Sequence, residues 1–226
     1  MIEGRAAVGE TGKLVFFDLD GTITHRDTLV PFVAGYLLRN PARILGLPRA
    51  LPALLSFLLG RADRGALKGA LIYATLAGCS RQQIEAWSAE FVPRLLRRGV
   101  FTDAIAAIRA HQAQGDHLVL MSASVDLYVP RIGIALGFSE TVCSRVIWQG
   151  DSLDGHLDGP NCRDVVKAHW LERVRARFPE RSVVAYGNSS PDLPHLRLAD
   201  QALLVNPGRS LRREAGGRAI QFVHWS

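Results

Sequence analysis

The sequence predicts an α/β fold: a doubly wound parallel sheet with an all-helical segment inserted after its first strand. Three patterns carry that prediction. Short apolar runs alternate with amphipathic stretches from about residue 100 to the end. Residues 26–99 show helical spacing without a strand signal. Polar residues able to do chemistry fall just past the apolar runs. In such sheets that is the carboxyl edge, where ligands sit.

In chain order, LVFFD (14–18) is short and continuously apolar up to its last residue, as a strand covered on both faces must be. TLVPFVAGYLLRN, ALKGALIYATLAG and RQQIEAWSAEFVPRLLRRG then place apolar residues at helical spacing, with breaks at Pro and Gly. Residues 26–99 are therefore assigned to a helical unit, and 12–25 with 100–226 to the α/β unit. TDAIAAIRAHQAQG is expected to be a helix ending on Gly115, and HLVLMSAS a second buried strand. DLYVPRIGIALG reads as helix, and TVCSRVIWQGDSLDGHLDG as a hairpin with two Asp/Gly turns. RDVVKAHWLERVRARF is an amphipathic helix and SVVAYGNSS a third buried strand. PDLPHLRLA is a short helix opened by proline and acid, ALLVNP a fourth strand, and QFVHW a candidate last one.

Composition narrows the function classes. A chain of 226 residues, 48% of them apolar, can bury a real core, which excludes wholesale disorder. The net charge of +6 admits anionic partners, namely phosphorylated small molecules, lipid phosphates or nucleic acid. No block of consecutive basic residues occurs, so nucleic acid is not expected. Cys79, Cys143 and Cys162 are odd in number and far apart, and the histidines lack metal-ligand spacing. Neither a disulfide framework nor a zinc site is expected, and a reduced, cytoplasmic protein is. The first residues, MIEGRAAVGETGK, lack the apolar stretch of a signal peptide. ILGLPRALPALLSFLLG (44–60) is interrupted by Arg49 and two prolines and is too short for a membrane span. It is expected to form core within the helical unit. The alternative is peripheral contact with anionic lipid, helped by Arg39, Arg43 and Arg49. Oligomeric state has no signal here.

The chemistry starts at DLDGT. Strand alternation puts Asp18 and Asp20 on one side, where like charges repel, so a bound cation is expected to offset them. Ser122 and Ser124 end the second strand, Lys167 stands in the helix before the third, and Asn188 and Asp192 follow the third. A carboxylate can attack phosphorus and hold it as an acyl phosphate. A second carboxylate can protonate the leaving oxygen and later deprotonate water. Mg²⁺, an ammonium and a hydroxyl would cancel the incoming phosphoryl charge. Taken singly, each group has a plainer reading. Asp-x-Asp can be a turn or helix cap, Ser124 a local cap, Lys167 a solvated helix residue, and Asn188 and Ser189 turn formers. Asn161 and Arg163 can be ordinary loop residues, His25 a polar residue at a helix start, and Cys162 a buried thiol. Ser189 with His195 suggests a serine hydrolase, but GNSSP lacks the second glycine of a nucleophile elbow.

Together these motifs resemble the haloacid dehalogenase-like hydrolases. DLDGT resembles that family's first motif, the strand ending MSAS its second, Lys167 its third and GNSSPD its fourth. GPNCRDVVK, MSASVDLYV and VNPGRSLRR are similar to the subfamily of phosphoserine phosphatases and a bacterial phosphatidylglycerophosphatase. The resemblance implies a Rossmann-like core with a helical type-1 cap and Mg²⁺-dependent hydrolysis of phosphate monoesters through an aspartyl-phosphate. Asp18 would be nucleophile and metal ligand, and Asp20 general acid/base with its carbonyl on the metal. Ser122 and Lys167 would bind phosphoryl oxygens beside Thr22 and Ala123, and Asp192 would support the metal or its waters. Asn188 stands where many relatives carry aspartate. Its amide oxygen can ligate Mg²⁺ but brings no charge, which weakens the interaction by several kcal/mol at an effective dielectric of about 20. Either Asp192 compensates, or substrate phosphate holds part of the metal, or the protein is a catalytically weakened phosphate binder.

Overall fold

A computed structural model describes residues 12–216 and 220–226. Its strands are β1 (Leu14–Phe17), β2 (His117–Val125), β3 (Glu140–Ser144), β4 (Val146–Gln149), β5 (Ser152–Leu157), β6 (Val183–Gly187), β7 (Gln201–Val205) and β8 (Ile220–Val223). The helices are α1 (Leu29–Arg39), α2 (Leu51–Leu58), α3 (Arg64–Leu76), α4 (Arg81–Arg98), α5 (Thr102–Ala113), α6 (Val129–Ala135), α7 (Val165–Arg175), α8 (Leu193–Leu196) and α9 (Arg209–Glu214).

All four residues of β1 are fully buried, so the strand needs cover on both faces and neighbours on both edges. It has them. The six-stranded sheet runs β3-β2-β1-β6-β7-β8, and every pairing is parallel. Val15 and Phe17 pack toward the inserted helices, α5 and α6, whereas Leu14 and Phe16 pack toward α7 and α8. Order reverses between β1 and β6, so the crevice of this doubly wound sheet opens just past Phe17.

The inserted helices join the sheet at paired linkers. His25 N–H donates to the Gly99 carbonyl and Phe101 N–H to the Ile23 carbonyl, each near 3 Å. Ser80 opens α4 with a capping box completed by Gln83. Phe32 of α1 stacks on Tyr128 at 4.5 Å and meets Phe91 of α4 edge-on at 5.1 Å. Trp87 donates its indole N–H to the Phe32 carbonyl at 3.0 Å. One apolar core therefore runs from the sheet into the helices.

The structure differs from the sequence reading at three places. The hairpin predicted over 141–159 is divided, because β3 pairs in parallel with β2 and joins the main sheet. Only β4 and β5 form the hairpin, and it is docked on the inserted helices. Gly78 N–H donates to the Leu153 carbonyl, and Leu153 N–H to that of Cys79. Gly155 makes that approach possible: its φ is 99°, and a Cβ there would lie 2.7 Å from the Tyr73 backbone. Second, residues 201–216 hold α9 beyond the fourth predicted strand. Third, 44–60 does not form core within the helical unit. Pro41–Ala50 is a 3₁₀ segment, and α2 buries none of its residues. No helix among the described residues is long and apolar enough to cross a membrane. The first eleven residues, on which the signal-peptide expectation rests, lie outside the described ones.

Phe32→Ala would remove a ring that touches both units. Urea unfolding is expected to show a loss of about 3–5 kcal/mol.

Candidate active site

Past β1 the chain curls on itself. The N–H groups of Ile23 and Thr24 both donate to the Leu19 carbonyl, and Gly21 takes a φ of 85°. Only glycine fits comfortably: a Cβ would stand 2.0 Å from the Asn188 amide nitrogen, so the loops after β1 and β6 touch here. The turn aims Asp18 and Asp20 into one cavity of about 640 Å³. Ala123, Ser124, Asn161, Lys167, Asn188 and Asp192 line it as well.

Lys167 lies in the first turn of α7 and is 2% exposed. Its ammonium donates to Asp18 Oδ1 at 2.5 Å and to Asp192 Oδ1 at 2.7 Å. Burial alone would lower its pKa, but the two carboxylates outweigh burial and hold the pKa above the ordinary lysine value. Thr22 donates to Asp18 Oδ2 at 2.8 Å. Asp192 Oδ2 accepts from the Asn188 and Ser189 N–H groups and from Ser189 Oγ. Burial pushes Asp192 up, yet Lys167 and these donors hold it below the usual carboxylate range. For Asp18 burial dominates and raises the pKa against the pull of Lys167.

Asp20 is held separately. Oδ1 accepts from Thr28 N–H at 2.8 Å and Thr28 Oγ1 at 2.7 Å, and Oδ2 from Ser124 Oγ at 2.7 Å. Tyr128 OH lies 2.9 Å from Thr28 Oγ1 and supports this cradle. Burial raises the Asp20 pKa, while the Ser124 and Thr28 hydrogen bonds oppose it. Ser122 is fully buried just beneath the rim. Its Oγ accepts from Ser124 N–H at 3.0 Å, which leaves its own proton to aim elsewhere.

The structure thus brings together Asp18, Asp20, Lys167, Asn188 and Asp192, with Ala123 on the wall and Thr22 and Ser122 just behind it. Thr22 touches Asp18, so in this geometry it orients the carboxylate. Asp192 bonds Lys167 through one oxygen and the loop after β6 through the other, so it ties the two together. Cys162 is buried, and burial pushes its thiol up to about 11, unfit for a nucleophile. Ser189 bonds Asp192, and His195 is wholly buried with neither ring nitrogen hydrogen-bonded, so they form no dyad.

Sequence reasoning missed Lys68. From α3 it reaches across the cavity and donates to the Ala123 carbonyl and, at 3.0 Å, to Asn161 Oδ1. Burial pulls its pKa down to about 8. A lysine on an amphipathic helix gives no local sign that it bridges two units. The Thr28–Tyr128 support was missed for the same reason, since its partners lie 100 residues apart.

Asp18 and Asp192, both buried, and the half-buried Asp20 line the cavity with the buried Lys167 ammonium. A divalent cation would offset the repulsion among these carboxylates. The Asp18 carboxylate and the Asn188 amide, both lining the cavity, carry hard oxygen donors that suit Mg²⁺.

A sequence model of the haloacid dehalogenase-like hydrolases matches residues 15–197. Protein CicA of Caulobacter vibrioides is 35% identical over 206 residues, covering 87% of this chain and 89% of that protein. A probable phosphatase of Mycobacterium tuberculosis is 29% identical over 215 residues, covering 93% of this chain and 75% of that protein. Among solved structures, a protein of unknown function from Bordetella pertussis Tohama I superposes with a TM-score of 0.77 at 22% identity. The match spans 94% of this chain and 98% of that one.

Lys167→Met would strand Asp18 and Asp192 against each other. Stability at pH 7 is expected to fall by about 3–5 kcal/mol. Without the ammonium both carboxylates have folded pKa values above the unfolded ~4, so protonation favours the folded variant. Urea midpoints should therefore draw closer to the parent's as pH falls from 7 to 5.

Proposed function

The chain belongs to the haloacid dehalogenase-like hydrolases, and on that basis we propose a Mg²⁺-dependent phosphatase that works through an aspartyl-phosphate on Asp18. The observation that carries this reading is Asp18 itself. It is buried, fixed through both oxygens by Lys167 and Thr22, and faces a cavity with Asp20 held apart in its own hydroxyl cradle. Two carboxylates in environments that differ this way suit two roles, nucleophile and acid/base.

In the proposed reaction the phosphoryl group enters the crevice between β1 and β6. Lys167 and the Ser122 proton meet its oxygens, and the Ala123 wall limits its position. An Asp18 oxygen forms a bond to phosphorus as the phosphorus–ester oxygen bond breaks. Asp20, whose pKa burial raises against the Ser124 and Thr28 hydrogen bonds, gives a proton to the departing oxygen. Asp20 then takes a proton from water, whose oxygen bonds phosphorus while the Asp18–phosphorus bond breaks and phosphate leaves. Mg²⁺, held by Asp18, Asn188 and the Asp20 carbonyl, would neutralise phosphoryl charge when bound. Asp192 keeps Lys167 and the Asn188 loop in place.

The substrate class we propose is a small phosphomonoester or a lipid phosphate. Cationic Arg26, Arg64, Lys68 and Arg163 line the cavity together with apolar Leu29, Val30, Phe57, Leu67 and Leu71, so it offers both charge and apolar surface. Free thiols at Cys79, Cys143 and Cys162 support a cytoplasmic setting. A catalytically weakened phosphate binder is the second reading, favoured by the uncharged Asn188.

Hydrolysis of an aryl phosphate should require Mg²⁺, stop with EDTA, and fall at least ~10³-fold in Asp18→Asn. Phosphate-ligand binding without turnover at any Mg²⁺ concentration would favour the binder instead. Asn188→Asp should lower the Mg²⁺ concentration for half-maximal rate at least ~10-fold, because it restores a unit charge beside the ion.

A further inference from the structure

α2 has the sequence LPALLSFL, yet it buries none of its residues. Leu51, Leu55, Leu58 and Leu59 are 52–70% exposed, and Leu45 on the preceding 3₁₀ segment is 82% exposed. Leaving this many leucines in water forfeits the hydrophobic gain that their burial would bring. Clustered exposure of this kind marks a surface that something else covers.

Charge indicates what covers it. Residues 39–68 carry six basic side chains (Arg39, Arg43, Arg49, Arg61, Arg64 and Lys68) and one acid, Asp63. Arg49, Arg61 and Arg64 are exposed, whereas Arg39 pairs with Glu90 and Lys68 reaches into the cavity. A second copy docking face to face would bring these charges together. An anionic bilayer would attract them while the leucines enter the acyl boundary. A cleft of about 340 Å³ on the same segment sets Arg43 and Arg49 beside Leu45 and Tyr73, the pairing of charge and grease that a lipid surface presents. The face is also continuous with the site. Phe57, on α2, lines the cavity that holds Asp18.

We propose that residues 44–59 dock on an anionic bilayer surface as a peripheral contact, so that the cavity opens at the lipid–water boundary through Phe57. The purpose of this docking rests on the phosphatase reading above; the docking itself does not. It delivers phosphate-bearing amphiphiles to Asp18 without their leaving the bilayer.

The test is flotation of the full chain with vesicles of phosphatidylcholine alone or with phosphatidylglycerol, at 50 and 500 mM salt. Binding is expected to the anionic vesicles, at least tenfold weaker to neutral ones and weakened at high salt. Leu55→Asp/Leu58→Asp, at positions outside the cavity, should lose at least tenfold in partitioning and keep its aryl phosphatase rate. Asp18→Asn should bind vesicles as the parent does, which separates docking from chemistry. Absence of binding in a chain that still hydrolyses aryl phosphate would overturn the docking alone. So would equal binding by the leucine variant, equal binding to neutral vesicles, or concentration-dependent dimerisation that the leucine variant abolishes. Vesicle binding without any turnover would overturn the phosphatase reading and leave the docking standing.

Discussion

One ammonium held between two carboxylates, almost without water, is the interaction on which the rest of this molecule depends. Lys167 joins Asp18, 149 residues away in sequence, to Asp192, 25 residues away. Burying three charges is expensive, and breaking such a set is more expensive than never building it. The set therefore needs fixed geometry, and the sheet supplies it. Asp18 ends a strand bonded on both sides, Lys167 starts a helix packed beneath, and Asp192 closes the loop after the neighbouring strand. The reversal of strand order at β1 and β6 leaves the crevice into which the set projects.

The charge in that crevice links structure to reaction. Three carboxylates, Asp18, Asp20 and Asp192, and the Lys167 ammonium line that crevice, a donor set that suits the divalent cation proposed above. Asp20 stands apart because Thr28 and Ser124 hold it away from Lys167, with Tyr128 behind them. These supports span the two units: Thr28 begins α1, whereas Ser124 and Tyr128 belong to the sheet side. The position of the Asp20 carboxylate therefore depends on how the inserted helices sit, and Lys68 crosses the same boundary to touch Ala123 and Asn161.

Much of this was legible in the sequence where local pattern decides. β1 is an uninterrupted apolar run that only a doubly covered strand explains, and the Asp18–Asp20 pair at its end poses its own charge problem. The GNSSPD loop follows from the same reasoning. What was not legible depends on partners distant in sequence. β3 looks like one arm of a hairpin until β2 is beside it. Lys68 looks like a solvated helix residue until Ala123 faces it. The leucines of α2 satisfy a helical pattern equally well whether protein or lipid covers them, so periodicity alone assigned them to a core they do not join.

The central claim is that the Asp18 carboxylate, positioned by Lys167, bonds directly to phosphorus. Acid-quenching the enzyme during turnover with Mg²⁺ and a phosphomonoester, followed by borohydride reduction and peptide mass spectrometry, tests it. An acyl phosphate at Asp18 would be reduced to the alcohol, so position 18 should carry the mass of homoserine, dependent on substrate and metal. An unmodified Asp18 under turnover, or a phosphoryl adduct at Ser189 or Asp20 instead, would contradict the account.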